Sequence, residues 1–352
     1  MSKGYLVAAS DAPALIKSRA DVVCDGVMDA AIIRDSLANY QCVELSEGHF
    51  VIDGPPLEDS SAGENSIIPV PSNRILTGAG FATELKLPDN YPYHAAAILG
   101  LSHNTGTAYS RITIADLLID GNWASHPTTP SRPIIAGIGT FYVDNAAENN
   151  DALRSHNVFI RNVAVKNTEK GIDSYLCFNW DISGCYFENC NRGIYCDISK
   201  YVTVRGCHAK ECGYGFYFDV SWWWTCQGNT TDNCNTGIEV IRRGEGGLIQ
   251  GNTIHGGTLT PNLPWNRQAN IGIKTTGSST PTDDNPKLWR IEGNTILGPF
   301  THYGIWCAIP EGGEHGSPTT GNVRSNTIRG ATLTAIQNDV GSTVTISDND
   351  IG

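Results

Sequence analysis

Between Gly171 and Ile241 one pattern is written four times at intervals of 22 residues, and this repeat restricts the fold more than any other feature of the chain. Gly171-Ile172-Asp173, Gly193-Ile194-Tyr195, Gly215-Phe216-Tyr217 and Gly237-Ile238-Glu239 open the copies. Gly184-Cys185 and Asn189-Cys190 recur as Gly206-Cys207 and Glu211-Cys212, then as Gly228-Asn229 and Asn233-Cys234. A fixed period near 20 residues, made of short apolar runs between Gly and Asn, marks a solenoid. One such coil cannot bury its own interior side chains, so each coil must stack on its neighbours.

Alternation inside a copy reads as strand. Ile172, Ile194, Phe216 and Ile238 should point inward together with Ser174, Cys196, Phe218 and Val240. The intervening positions form two outward columns: Asp173, Tyr195, Tyr217 and Glu239 in one, Tyr175, Asp197, Asp219 and Ile241 in the other. Stacked strands lie about 4.8 Å apart, so residues 22 apart in sequence become neighbours on the surface.

A repeat array of 352 residues can be a single domain, and one domain over residues 1–352 is expected, with a cap and first coil over 1–56 and stacked coils over 57–351. A formal net charge of −12 argues against a nucleic-acid partner. No apolar run nears the roughly 20 residues that span a bilayer, and Met1–Tyr5 lacks a signal-peptide layout. The 11 cysteines include no Cys-x2-Cys pair, and the repeated ones read as an inward ladder of small apolar thiols in preference to disulfides or metal ligands.

Asp29, as N-cap, should open a short amphipathic helix over Ala30–Ala38, followed by strands at Cys42–Leu45 and His49–Ile52. The segment ADVVCDGVMDAAIIRDSLA…VELSEGHFVI resembles the N-terminal cap and first coil of the pectate-lyase-like superfamily of right-handed parallel β-helices, which includes polysaccharide-active enzymes and bacteriophage tail-spike-type proteins. The resemblance implies an all-β parallel β-helix, a polysaccharide or oligosaccharide partner, extracellular or virion-associated action, and for spike-type relatives a homotrimer.

Leu57–Pro71 reads as an excursion, and Trp123–Ser131 and Asn145–Ser155 as polar loops. Beyond Ile241 the Gly-Ile mark returns at Gly272-Ile273 and Gly304-Ile305. The longer spacing comes from insertions over 256–270, 277–287 and 310–321, which should wall a groove along the Gly-Ile strands. Repeated Asn at 229, 252, 294, 326 and 349 reads as a ladder of amides in turns that Asn suits by tolerating left-handed backbone. The final coils show no strong cap, so a second chain or added segment should cover them.

Asp173, Asp197, Asp219 and Glu239 all fall in the outward columns. Stacked carboxylates repel, and the arrangement asks for a cation, a shared proton or a substrate. Glycoside hydrolysis needs such a pair, one group to protonate the leaving oxygen and one to attack or activate water, which makes Asp219 the favoured acid. The alternatives are a solvated acidic stripe and a calcium site; no other cofactor is expected. Polygalacturonases of the resembled superfamily gather carboxylates on one strand face, but their Asn-Thr-Asp and Asp-Asp motifs are absent here.

Of Trp222, Trp223 and Trp224, alternation buries Trp224 beside the Val202 position; the other two, with Tyr195, Tyr217 and Trp306, form either a sugar platform or a subunit contact. Arg242, Arg243, Lys274 and Tyr217 are the groups a polysaccharide lyase would use, unless the cations balance the acidic column. His208, His255 and His302 do not cluster in a 22-residue register. The sequence thus favours hydrolysis of a polysaccharide in the Gly-Ile groove, with lyase action or glycan binding without cleavage as alternatives.

Overall fold

The computed structural model describes residues 4–55, 57–59, 64–91, 95–101, 109–123, 134–140, 151, 154–257, 271–276, 289–308, 320–339 and 343–352. Almost all of the insertions expected at 256–270, 277–287 and 310–321 lie outside these residues, as do most of the two polar loops and the side chain of Arg243. The chain divides into two compact units, Met1–Tyr186 and Phe187–Gly352, and each is a run of β-coils.

In the first unit Tyr5–Ala8, Cys42–Leu45, Ile75–Thr77 and Ser110–Asp120 pair in parallel, one per coil. A second ladder puts Ile68, Leu99, Ile138 and Ile172 in one register row, and all four are fully buried. Glu64–Pro69 is therefore a coil strand, where an excursion was expected. Its Pro, Ser and Gly flanks disguise the buried Ile67, Ile68 and Val70, and Leu57–Asp59 pairs with it antiparallel.

The capping helix runs Asp29–Asn39, and its N-cap is Met28, not Asp29. Asp29 is buried in the first turn, where its carboxylate accepts from the Gly26 and Val51 backbone N–H groups. It ties the helix to the strand Gly48–Val51, a tertiary role that local capping rules do not register.

In the second unit the strands Arg192–Asp197, Tyr214–Trp222, Thr236–Glu245, Ile271–Thr276, Tyr303–Ala308 and Thr334–Asn338 stack in parallel. Ile194, Phe216, Ile238, Ile273 and Ile305 form their interior row, as the repeat implies, and none reaches solvent. The preceding glycine of the mark has a steric cause. A Cβ on Gly215 would sit 2.5 Å from the Gly237 carbonyl oxygen and 2.7 Å from Thr231 Cγ2, so only hydrogen fits between the coils.

The asparagine ladder is also present, in a form that turn propensity does not describe. Asn229 N–H donates to Asn252 Oδ1, Asn252 N–H to Asn294, Asn294 N–H to Asn326 and Asn326 N–H to Asn349, at 2.9–3.0 Å each. The left-handed backbone belongs to the residue before each ladder position, as at Gly251 (φ 62°), while the Asn side chain supplies the inter-coil bonds. Cys207 takes the ladder place above Asn229, to whose Oδ1 its N–H donates.

All 11 cysteines are free thiols, and all but Cys42 are buried. Burial pushes Cys307 up to about 12 and raises Cys24, Cys212 and Cys226 as well. A thiol reagent such as DTNB at pH 8 should therefore label no more than one thiol, Cys42, before unfolding, since the thiolate is the reacting form. Rapid labelling of several thiols in the folded protein would contradict this packing.

Candidate functional site

The two columns expected to face outward are not open to water. Asp219 is 1% exposed, Glu239 3% and Asp173 4%, while Asp197 and Tyr195 are half-buried. Periodicity sets which way a side chain leaves the sheet; long neighbours that fold back over it decide whether it is covered.

In the second unit Asp197 stands in register with Asp219, and Tyr195 with Tyr217 and then Glu239. The Tyr195 hydroxyl lies 3.0 Å from Asp197 Oδ2 and 3.3 Å from Asp219 Oδ2. Arg242 grips both Asp219 oxygens, through Nε at 2.7 Å and through Nη2. Its own backbone is left-handed, φ 60°, and half of its side chain is exposed. Burial raises the Asp219 carboxyl above the ordinary carboxylate range, against the opposing pull of Arg242 and Tyr195. The hydrogen bond to Asp219 in turn raises the guanidinium against the opposing effect of its partial burial, and half of the side chain stays exposed.

Glu239 is held by Lys274 at 3.1 Å, and Lys274 also lies 5.2 Å from the Trp306 ring, whose Nε1 donates to Asp339. Burial, reinforced by Glu239, pushes the Tyr217 hydroxyl above its usual range. In the first unit Asp173 is closed by Lys170 at 2.5 Å. The cations on these columns therefore pair with the carboxylates.

Sequence reading passed over Arg192. Its guanidinium carbon lies 4.9 Å from the Tyr195 ring, 5.0 Å from Tyr217 and 5.7 Å from Tyr214, so one cation organises three tyrosines. The available signal was its place 22 residues before Tyr214, its register partner on the next coil. The histidines also depart from expectation, because His208 Nε2 and His255 Nδ1 converge on Asp232, at 2.7 and 2.6 Å. A 23-residue step brings His255 beside Asp232, which a strict 22-residue register misses.

Trp224 is buried and stacks on Phe218 at 4.1 Å. Trp223 is 45% exposed and stacks on Tyr201 at 5.1 Å, while Trp222 is half-buried with Lys200 5.8 Å away. Among the described residues no group of three or more His, Cys, Asp or Glu is arranged to hold a metal ion, and no helix is long and apolar enough to cross a membrane.

Residues 142–285 match the family described as right handed beta helix region. Solved structures agree over 93% of the chain: ORF18 of Geobacillus virus E2 (13% identity, TM-score 0.58), gene product 12 of bacteriophage phi29 in its pre-mature form (16%, 0.59), and the A-module of the Azotobacter vinelandii mannuronan C-5 epimerase AlgE4 (17%, 0.51). The chain spans 59% and 51% of the two phage chains and 92% of the epimerase module. No curated protein is significantly similar in sequence. The chain is a right-handed parallel β-helix. At these identities the likeness concerns the fold, which is shared by phage proteins and by an enzyme.

Proposed function

We propose that the protein binds a polysaccharide along the Gly-Ile strand face and hydrolyses its glycosidic bonds. The observation that carries this reading is the pair Asp197 and Asp219, in register on adjacent coils and within hydrogen-bond reach of one hydroxyl. Like charges directly opposite in a sheet are unfavourable, so such a pair holds together through a shared proton and a cation, here Tyr195 and Arg242. Asp197, half-buried, activates water. Asp219, whose proton affinity burial raises, protonates the leaving oxygen once substrate lifts the half-exposed Arg242 from it. Trp222, Trp223 and Trp306 supply aromatic surface for sugar rings. Glu239 and Arg243 complete the set of candidates, with Asp173 in the first unit.

Asp197→Asn, Asp219→Asn and Glu239→Gln, assayed by reducing ends released from a glycan panel, should show at least two variants slowed by a factor of about 100 or more, the scale of general acid–base catalysis. Near-normal activity in all three would place the chemistry elsewhere. Lyase action is less well supported, because Tyr217 is a poor base when its hydroxyl is pushed upward and Lys274 already neutralises Glu239.

Glycan binding without cleavage is the second reading, and the closed ion pairs on Asp219 and Glu239 favour it. Absence of both reducing ends and unsaturated uronates, with retained glycan binding, would select it. The phage proteins of the same fold support a virion-associated setting. A homotrimer rests on the spike-type resemblance and on exposed aromatic surface such as Trp223, and a monomer in sedimentation at low concentration would remove it.

A further inference from the structure

We propose that the Tyr195 hydroxyl is a proton relay that joins Asp197 and Asp219 into one exchanging unit and, resting on the hydrolytic reading above, re-arms the buried acid between turnovers. A phenol carries a single proton, yet this hydroxyl lies 3.0 Å from one carboxylate and 3.3 Å from the other. It can donate to only one of them. Both contacts are satisfied when one carboxyl is protonated and donates to the phenol oxygen while the phenol donates onward. Moving both protons by one bond exchanges the roles of the two carboxyls and leaves the phenol neutral.

The surroundings make this route the natural one. Asp219 is 1% exposed, and among the described residues its carboxylate bonds only to Tyr195 and Arg242. A guanidinium does not release its proton in a protein, so Arg242 can hold the carboxylate but not recharge it. Asp197 is half-buried and within reach of water. Arg192 lies against the Tyr195 ring, and Tyr217 packs beside it at 5.3 Å, so the two neighbours limit its swing.

In the hydrolytic cycle, Asp219 gives its proton to the leaving oxygen as the glycosidic C–O bond breaks and that oxygen keeps the electron pair. Water bonds to the anomeric carbon and loses a proton to Asp197. The products depart with the proton on Asp197 and Asp219 ionised. Tyr195 then passes its proton to Asp219 while taking the one on Asp197, and the starting state returns with one water consumed.

Tyr195→Phe keeps the ring against Arg192 and removes only the hydroxyl. Carbon-13 carboxyl NMR of Asp-labelled protein, assigned through Asp197→Asn and Asp219→Asn, should show each of the two signals titrating in two shared steps, the behaviour of a coupled pair. In Tyr195→Phe the two steps should shift relative to one another, since the hydroxyl contacts are lost while the carboxyls stay in register, and titrations unchanged by the substitution overturn the relay. On a glycan cut by the unsubstituted protein, Tyr195→Phe should lower steady-state kcat by about tenfold or more. The first turnover should fall less than steady-state kcat does, because re-arming enters only from the second turnover onward. An equal fall in both overturns the re-arming role. If no glycan is cut, the hydrolytic reading fails by itself and the titrations still decide the relay.

Discussion

Phe216→Ala should cost about 3–5 kcal/mol of folding stability, measured by urea or thermal unfolding. The ring has no solvent exposure and lies in register between Ile194 and Ile238, so truncation removes contacts to two coils at once. A parallel coil has little freedom to close the resulting cavity, because strand spacing is set by the hydrogen-bond ladder and not by side-chain volume. Ile336→Ala, at the half-buried equivalent on a later coil, should cost clearly less. A loss below about 1 kcal/mol at Phe216 would mean that the interior row does not carry the stability assigned to it. Should the alanine protein fail to fold, Phe216→Leu, with a smaller expected loss of about 1–1.5 kcal/mol, decides the point.

Asn252→Ala should be comparably damaging, by at least about 3 kcal/mol, although it removes no apolar surface. The side chain accepts from Asn229 N–H and Nδ2, and its own Nδ2 donates to the Cys226 carbonyl and to Asn294 Oδ1. All of these partners lie in the interior, and each one stranded costs about 1–3 kcal/mol. Asn349→Ala, at the half-buried last step of the ladder, should cost less. Equal losses at the two positions would show that the bonds do not reinforce one another along the column.

These two side chains also mark what could be read from sequence. A side chain's direction follows from strand alternation, and its inter-coil neighbour from the period, so the row through Phe216 was legible before any coordinates. The asparagine column was legible in position but not in mechanism. Repetition alone does not distinguish an amide that suits a turn from one that bonds to the coil below. Coverage was not legible at all, because Arg242 reaches Asp219 from 23 residues away with a long and rotatable side chain that no period encodes. Asp29 illustrates the same limit, since its partner at Val51 belongs to a strand 22 residues on and outside the repeat region.

The ladder steps run over 23, 42, 32 and 23 residues of chain, yet the bonds they form have nearly the same length. Coil geometry is thus independent of how much polypeptide is spent between successive rungs. For protein engineering, this recommends the span between Gly257 and Ile271 as a site for grafting foreign recognition loops. Cargo inserted there would be carried on a backbone whose register is locked from within, and its length could be varied without re-optimising the scaffold.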